Sequence, residues 1–512
     1  MKTYKVLYLI PLLLLLFSGC GSKKRVLSNS DLSNQAKIQK YIPQKLELRA
    51  AWIPTVFRSE YARLTPEGVR RNLIQKLDLL ERAGFNAVIF QVRSEADAWY
   101  YSPYEPWSRS LTGEQGKAPQ PLWDPLQFLV EECHKRNMEL HAWINPYRAA
   151  TNLGGQMASN HPYYRHPEWF VTYGNQLLFN PALPEVRDYI SLIVRDIVAR
   201  YDIDAIHMDD YFYPYPIAGE PFPDRADYAH QSRGQKSIDD WRRENVNMTI
   251  KQIQKTIKSV KPYVRFGISP FGIYRNQTND PNGSKTFGLQ NYDDLYADIL
   301  YWDRMDWVDY IMPQIYWAIG NKAAEYTELA HWWQKNILRA QYYIGQDIRR
   351  TMDRDELHTK MNITHQTAQG QCFWPGDDLF TNYANITQTL QTSYWTKPAL
   401  IPSTPYPEDL HTFDEPHREA FISRVAGIQE LVWEPDIPYP KGLETKYFVI
   451  YCHPRGTKLS KATTQDYLMD ITSENHIELP HLGGKEKVAF TITRVNRYNH
   501  EIIVAHNIKA KL

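Results

Sequence analysis

Short apolar runs alternate along this chain with stretches whose apolar positions recur at helical spacing. Ala50 to Ile53 reads as a short buried strand, and Thr65-Pro66 then opens a helix. Thr serves as the cap, Pro takes the first helical position, and Val69, Leu73, Leu77 and Leu80 share one face, with Gly84 closing the element. The pattern next predicts a strand over Phe85 to Val92, a helix over Leu126 to Arg136 and a strand over Glu139 to Ile144. Pro184 to Tyr201 carries Val186, Ile190, Ile193 and Ile197 on one face and feeds a fourth strand at Ile203. The same grammar predicts a helix over Ile238 to Val260, a strand over Val264 to Ile268, a helix over Tyr292 to Met305 and a strand over Val308 to Met312. Strands at Gln341 to Gly345 and Gly370 to Phe373, with helices around Asp355 to Thr367 and Tyr383 to Tyr394, finish the series. Strand-helix units repeated in this way over residues 47–396 predict an α/β fold, a (β/α)8 TIM barrel.

Beyond the barrel the pattern changes. Residues 397–427 are Pro-rich (Pro398, Pro402, Pro405, Pro407, Pro416) and read as a connector. Over 428–512, Leu431 to Trp433, Lys446 to Tyr451, Ile477 to Leu479, Ala489 to Val495 and Ile502 to Ala505 alternate or run β-branched without helices, predicting a small all-β sandwich. Trp433, the run Tyr447 to Tyr451 and the late strand ending Arg494-Val495-Asn496-Arg497 resemble a fibronectin type III domain.

The N-terminus changes the picture of where the chain works. Lys2 and Lys5 precede an apolar run, Val6 to Phe17, too short for a stable membrane span, so residues 1–20 read as a secretion signal. Phe17-Ser18-Gly19-Cys20 resembles the lipobox of bacterial lipoproteins, which implies that Cys20 is lipidated and that the membrane is a partner through that lipid. Gly21-Ser22-Lys23-Lys24 lacks the Asp of an inner-membrane retention mark, which favours the outer membrane within the cell envelope. Residues 21–46 are polar and aperiodic and read as a flexible tether.

Charge and cysteine content mainly exclude. With 59 Lys+Arg against 58 Asp+Glu there is no electrostatic case for nucleic acid as a partner. Cys133, Cys372 and Cys452 are scattered and odd in number, which gives neither a disulfide framework nor metal-ligand spacing, and no metal, nucleotide loop or other cofactor is expected. The chain carries 15 Trp and 35 Tyr, a load beyond the needs of a core and suited to stacking on sugar faces. Nothing in the sequence fixes an oligomeric state.

The candidate chemistry lies in Ile203-Asp204-Ala205-Ile206-His207-Met208-Asp209-Asp210-Tyr211-Phe212-Tyr213-Pro214, where an apolar strand runs into two adjacent carboxylates flanked by aromatics. Catalytic groups of barrel enzymes sit where such strands end, and two carboxylates there are suited to the acid and base work of glycoside cleavage. A helix cap or loop turn is the alternative for either Asp. His207, in mid-strand, reads as a core histidine. Ser269 has no neighbouring base in the sequence and is not a nucleophile.

Ordered motifs extend the reading. Arg49-Ala50-Ala51-Trp52, Phe90-Gln91-Val92-Arg93, Asp97-Ala98, Pro106-Trp107-Ser108, Leu111-Thr112-Gly113, Ala142 to Arg148, Asn180-Pro181, Glu185-Val186-Arg187, Asp209 to Pro214, Ser269 to Ile273 and Val308 to Trp317 together resemble the bacterial glycosyl-hydrolase-like family 10. Its members are often secreted lipoproteins and include an enzyme that cleaves peptidoglycan glycan strands stripped of stem peptides. The resemblance implies Asp209 and Asp210 as catalytic residues. It also implies Arg93, Asp97, Asn145, Tyr147, Arg148, Tyr211, Tyr213, Ser269, Gln314, Tyr316 and Trp317 as substrate-binding residues. A structural pairing of Arg93 with Asp97 stays open, as does a pairing of Arg148 with Asp209. Ser94-Glu95-Ala96 before Asp97, and the segments Gly345-Gln346-Asp347 and Cys372 to Asp378, depart from the family pattern and put specificity in question.

Two mechanisms remain open at this stage. In one, the pair works with a distant acid such as Glu95, Asp97, Asp347 or Asp377. In the other, which is similar to O-GlcNAcase-type barrels, the adjacent pair acts alone on an N-acetyl sugar, with Asp209 orienting the acetamide and Asp210 as acid/base. Hydrolysis of another polysaccharide, or carbohydrate binding without catalysis, are the competing readings.

Overall fold

The computed structural model describes residues 41–512 apart from 406, 408, 409, 411, 412 and 481–485. The expected signal segment, Cys20 and most of the expected tether lie outside the described residues. The tether's last residues are packed: Lys45 pairs with Glu501 at 2.6 Å, and Leu46 bridges Leu400.

Strands covered on both faces by protein must be apolar along their length, and all six residues of β1 (Leu48–Ile53) are buried. Seven more parallel strands follow: β2 (Ala87–Arg93), β3 (Glu139–Ile144), β4 (Ala205–Met208), β5 (Arg265–Ile268), β6 (Tyr310–Ile311), β7 (Gln341–Tyr342 and Ile344–Asp347) and β8 (Gly370–Trp374). They pair in the order β6-β5-β4-β3-β2-β1-β8. The first half of β7 pairs with β6 and the second half with β8, so the sheet closes on itself as a (β/α)8 barrel.

The outer layer comprises α1 (Pro66–Arg82), α2 (Pro125–His134), α3 (Pro184–Arg200), α4 (Ile238–Val260), α5 (Ile299–Arg304), α6 (Tyr326–Asn336) and α7 (Leu357–Thr367). The expected stripe of α1, Val69, Leu73, Leu77 and Leu80, is buried against the sheet, each side chain contributing roughly 1.5–3 kcal/mol. Thr65 accepts from the Gly68 N–H as its cap.

The expected helix over 292–305 is broken. A turn at Asn291–Asp294 is separated from α5 by Tyr296 in left-handed conformation (φ 54°), and the Tyr296 hydroxyl accepts from Arg242. The expected helix over 383–394 is likewise fragmented, with Asn382, Ala384 and Asn385 all at positive φ. Between β3 and α3 the chain adds a three-stranded antiparallel sheet (Arg148–Ala150, Phe170–Tyr173, Gln176–Phe179) that the periodicity did not predict.

Large side chains fill the barrel. Gly267 is required by its neighbour, because a Cβ there would meet the Tyr310 ring at 1.8 Å. His207 is a core histidine, as its mid-strand position predicts. Trp52 Nε1 donates to His207 Nε2 at 3.3 Å, His207 Nδ1 bonds the Tyr310 hydroxyl at 2.9 Å, and the same hydroxyl bonds His141 Nδ1 at 2.9 Å. Burial depresses the pKa of His207, so the neutral ring continues this chain as acceptor on Nε2 and donor on Nδ1.

The C-terminal strands form two antiparallel sheets. One contains β9 (Ala420–Val425), β10 (Ile428–Trp433) and β13 (His476–Glu478). The other contains β11 (Thr445–Pro454), β12 (Leu468–Thr472), β14 (Lys487–Asn496) and β15 (Glu501–Lys511). Leu431, Trp433 and Ile477 of the first sheet share a core with Phe448, Ile450, Phe490 and Ile492 of the second, which makes this a β-sandwich of the expected fibronectin type III-like kind. The connector is shorter than the Pro-rich composition implies: Ala420–Val425 pairs in register with Ile428–Trp433 as the sandwich's first strand, and Ile401 is buried in the barrel core. At the barrel's N-terminal face Lys446 is buried between Glu139 (2.6 Å) and Asp204 (2.9 Å).

Candidate active site

Asp209 and Asp210 leave the C-terminal end of β4 and are both buried. Side chains on the neighbouring strand ends define their surroundings. Asn145, just past β3, directs its Nδ2 to both oxygens of Asp209 at 2.8 and 2.9 Å, and Trp143 Nε1 adds a donor at 3.2 Å. The orientation of that amide follows from the backbone. The Thr55 and Val56 N–H groups both donate to Gln91 Oε1 at 2.9 Å, so Gln91 Nε2 faces Asn145 Oδ1 at 2.7 Å and the Asn145 amino group faces Asp209.

Asp210 has different company. The Tyr215 hydroxyl donates to its Oδ2, and the Gln314 side chain also bonds it. Burial pushes both carboxyls up. Asp209 reaches about 7, raised first by burial and then by the Asp210 charge, with Arg148 and Asn145 pulling against it. Each carboxyl of the pair therefore holds a proton more tightly than a solvated carboxyl does. Asn145 and Trp143 can only donate toward Asp209, whereas the Tyr215 hydroxyl can donate to or accept from Asp210, so Asp210 keeps a partner in either protonation state.

Arg148 is buried over the Tyr211 ring, its guanidinium carbon 4.4 Å from the ring centre, and its charge holds both carboxyls down. Its Nη2 has no protein hydrogen-bond partner. Tyr211 and Tyr215 stack at 5.8 Å and are each about two-fifths exposed (39% and 40%), offering sugar-sized faces beside the acids. Gln314 Nε2 bonds the Ser269 carbonyl at 3.0 Å, so Ser269 takes part through its backbone. Tyr316 packs edge-on to Trp52 at 6.4 Å within reach of both acid charges, and Trp317 packs on Phe271 at 5.4 Å.

Four expected binding residues are placed elsewhere. The Tyr147 hydroxyl donates to Thr249 of α4 at 2.9 Å, and Tyr213 accepts from Asn245 of the same helix at 3.2 Å; both are buried behind the strand ends. Arg93 makes a two-pronged pair with Glu105 (2.8 and 2.7 Å) and bonds the Asn145 and Pro146 carbonyls, so it holds the end of β3 and is not paired with Asp97. Asp97 is fully buried, accepts from Gln115 at 3.3 Å and is pushed up to about 7 by burial and the Glu95 charge.

Residues 47–359 match the profile of the family described as Glycosyl hydrolase-like 10. The chain belongs to the glycosyl hydrolase-like 10 family. Glycosidase chemistry is the activity that this membership carries. The chain is 42% identical over 478 residues to glycosyl hydrolase YngK of Bacillus subtilis (strain 168), covering 89% of this chain and 92% of that one. It is 39% identical over 322 residues to glycosyl hydrolase DigH of Escherichia coli (strain K12), covering 58% and 72%. Among solved structures it is similar to the PgaB (BpsB) glycoside hydrolase domain from Bordetella bronchiseptica, with 11% identity and a TM-score of 0.45 over 68% of this chain and 99% of that one.

In this glycosyl hydrolase-like 10 barrel, sequence reasoning passed over Gln91, Trp143 and Tyr215 as site residues. Gln91 and Trp143 lie inside the quoted motifs but within buried strands, where they read as core. Tyr215 sits five residues beyond Asp210, outside the strand period. Three of the four distant acids considered as second catalytic groups are occupied: Glu95 accepts from Thr151 N (2.6 Å), Asp347 caps Arg350 N (2.8 Å), and Asp377 pairs with Arg58 (2.6 Å); the fourth, Asp97, keeps one buried oxygen without a hydrogen-bond partner. Among the described residues no cluster of three or more His, Cys, Asp or Glu side chains is arranged to hold a metal ion.

Proposed function

We propose that this protein cleaves glycosidic bonds in N-acetylated glycan chains, with peptidoglycan strands lacking stem peptides as the substrate, while tethered to the outer membrane by a lipid on Cys20. In this reading Asp210 is the acid/base and Asp209 orients the acetamide, which serves as the internal nucleophile. The supporting observation is the unequal hydrogen bonding of two adjacent buried carboxyls. Asp209, surrounded by donors, suits an ion that accepts the acetamide N–H, and Asp210, bonded to a hydroxyl, suits a proton carrier. That Glu95, Asp347 and Asp377 are each committed to other partners favours a mechanism that needs no second carboxyl. The envelope address and the substrate agree, because every sugar of a peptidoglycan strand carries an acetamide.

The test is mass spectrometry of products from denuded glycan strands treated with the mature protein, Asp209→Asn and Asp210→Asn. Short saccharides from the wild type that disappear in Asp210→Asn support the reading. A wild-type rate in Asp210→Asn removes the assignment of the acid, and cleavage confined to glycans without N-acetyl groups removes the substrate.

A further inference from the structure

Phe57 occupies a place in the fold that stability alone does not explain. It is 82% exposed, the most exposed of the large hydrophobic side chains described, on the loop that leaves β1 at the catalytic face. Its backbone is left-handed (φ 58°) at the third position of a turn closed by Arg58 N donating to Thr55 O at 3.2 Å, a position that Gly fills without strain. A single exposed ring is ordinary, but one held in a disfavoured backbone conformation at the catalytic face belongs to the local strain that clusters at ligand sites.

The turn is also rigidly tied to the acid pair. Two of its N–H groups, Thr55 and Val56, bond Gln91, which bonds Asn145, which bonds Asp209. On its other side Arg58 pairs with Asp377 at 2.6 Å, locking the β1 loop to the segment after β8. In the closed ring β1 stands three strands from β4, so the Phe57 turn and the loop that carries Tyr211 and Tyr215 leave the same end of the barrel from different sides of its mouth.

We propose that Phe57 is the stacking platform of a further sugar subsite, so that a bound glycan crosses the mouth from the Tyr211 and Tyr215 faces to Phe57 and presents an internal bond to the acids. This rests on the glycosidase reading of the site and extends it to endo-acting cleavage of longer chains. A flat apolar ring recognises the C–H face of a pyranose and tolerates substituents on its edges, which fits a repeating chain whose substituents project from the ring edges.

The experiment is calorimetric titration of the full-length protein with N-acetylglucosamine oligomers of two and six sugars, comparing wild type, Phe57→Gly and Phe57→Trp. Phe57→Gly relieves the left-handed strain and is expected to melt at or above the wild-type temperature, which shows that it folds. Its affinity for the six-sugar chain is expected to fall at least five-fold, while that for the two-sugar ligand changes less than two-fold; Phe57→Trp is expected to keep the long-chain affinity. Equal affinity of Phe57→Gly and wild type for the long chain overturns the subsite. If the wild type binds neither oligomer, the substrate reading fails first, and the same comparison is made on six-sugar neutral β-glucan and xylan chains; binding to none of them overturns the subsite as well.

Discussion

Gln91 donates through Nε2 to Asn145 Oδ1 at 2.7 Å, and this bond sets the direction of the amide donor that reaches Asp209 from just beyond β3. The acceptor side of Gln91 is committed to two backbone N–H groups, which cannot reverse their role, so neither amide is free to flip. A buried carboxylate is thereby given donors in advance of substrate, at the cost of a polar chain inside the barrel that is satisfied at each link.

Replacing Asn145 by Ala removes the donor to both oxygens of Asp209. Because that bond lowers the Asp209 pKa, its loss raises it, and the acid limb of the kcat/KM profile, which reports ionised Asp209, is expected to move up by about one pH unit, with kcat at neutral pH falling about 10- to 100-fold. Gln91→Leu is expected to give a smaller shift in the same direction. An unchanged acid limb in Asn145→Ala removes Asp209 from the rate-determining ionisation.

Tyr215→Phe probes the other acid. The hydroxyl donates to Asp210 and favours its ionised form, so the phenylalanine variant is expected to raise the Asp210 pKa, carry the alkaline limb to higher pH and lower kcat about 10-fold. Steady-state kinetics across pH 4 to 9 on one N-acetylated substrate would show it, and a change in KM alone speaks for a purely stacking role of Tyr215.

The pair also has a signature in stability. The folded Asp209 value, about 7, lies above the ordinary 3.8, so between these values the native state holds a proton that the unfolded chain releases. The contribution of this group is full below the unfolded value and is lost as pH rises through about 7. Asp209→Asn removes the buried charge and one acceptor, and is expected to raise stability by about 1–3 kcal/mol at pH 8 while matching or falling below wild type at pH 4. Urea unfolding at the two pH values measures this, and a variant less stable at pH 8 means that the carboxylate is better solvated than its burial implies.

What the sequence made legible follows from period and motif. Continuous apolar strands and one-faced helices specify the barrel, and the run into Asp209-Asp210 marks the strand end where barrels keep their acids. Side-chain direction beyond a strand end was not legible. Tyr147 and Tyr213 lie among polar and aromatic neighbours yet turn outward onto α4, because alternation ends once the chain leaves the sheet. The partner of Arg93 proved to be Glu105, twelve positions along an aperiodic loop, where spacing carries no information. Strand β7 is interrupted at Tyr343, and only its pairing with β6 on one side and β8 on the other shows that the ring closes.

The sandwich is fastened to the barrel by charge as well as by contact. Lys446 reaches from β11 to Glu139 and Asp204 at the N-terminal ends of the barrel strands, and Asn499 bonds Glu139 at 2.9 Å. Arg265 also pairs with Glu139, so two buried cations face two buried carboxylates. Lys446→Met leaves the buried Asp204 with the partly exposed His134 ring at 2.9 Å in place of its ammonium, and removing one partner of a buried ion pair typically costs about 3–5 kcal/mol. The expected result is a chemical-denaturation midpoint well below wild type, recovered in part by adding Asp204→Asn, which restores the charge balance without restoring the lysine. Equal stability of Lys446→Met and wild type would mean that apolar contact alone holds the two parts together. A loss that Asp204→Asn does not recover points to packing of the lysine stem, because only the charge account predicts rescue by removing the opposite ion.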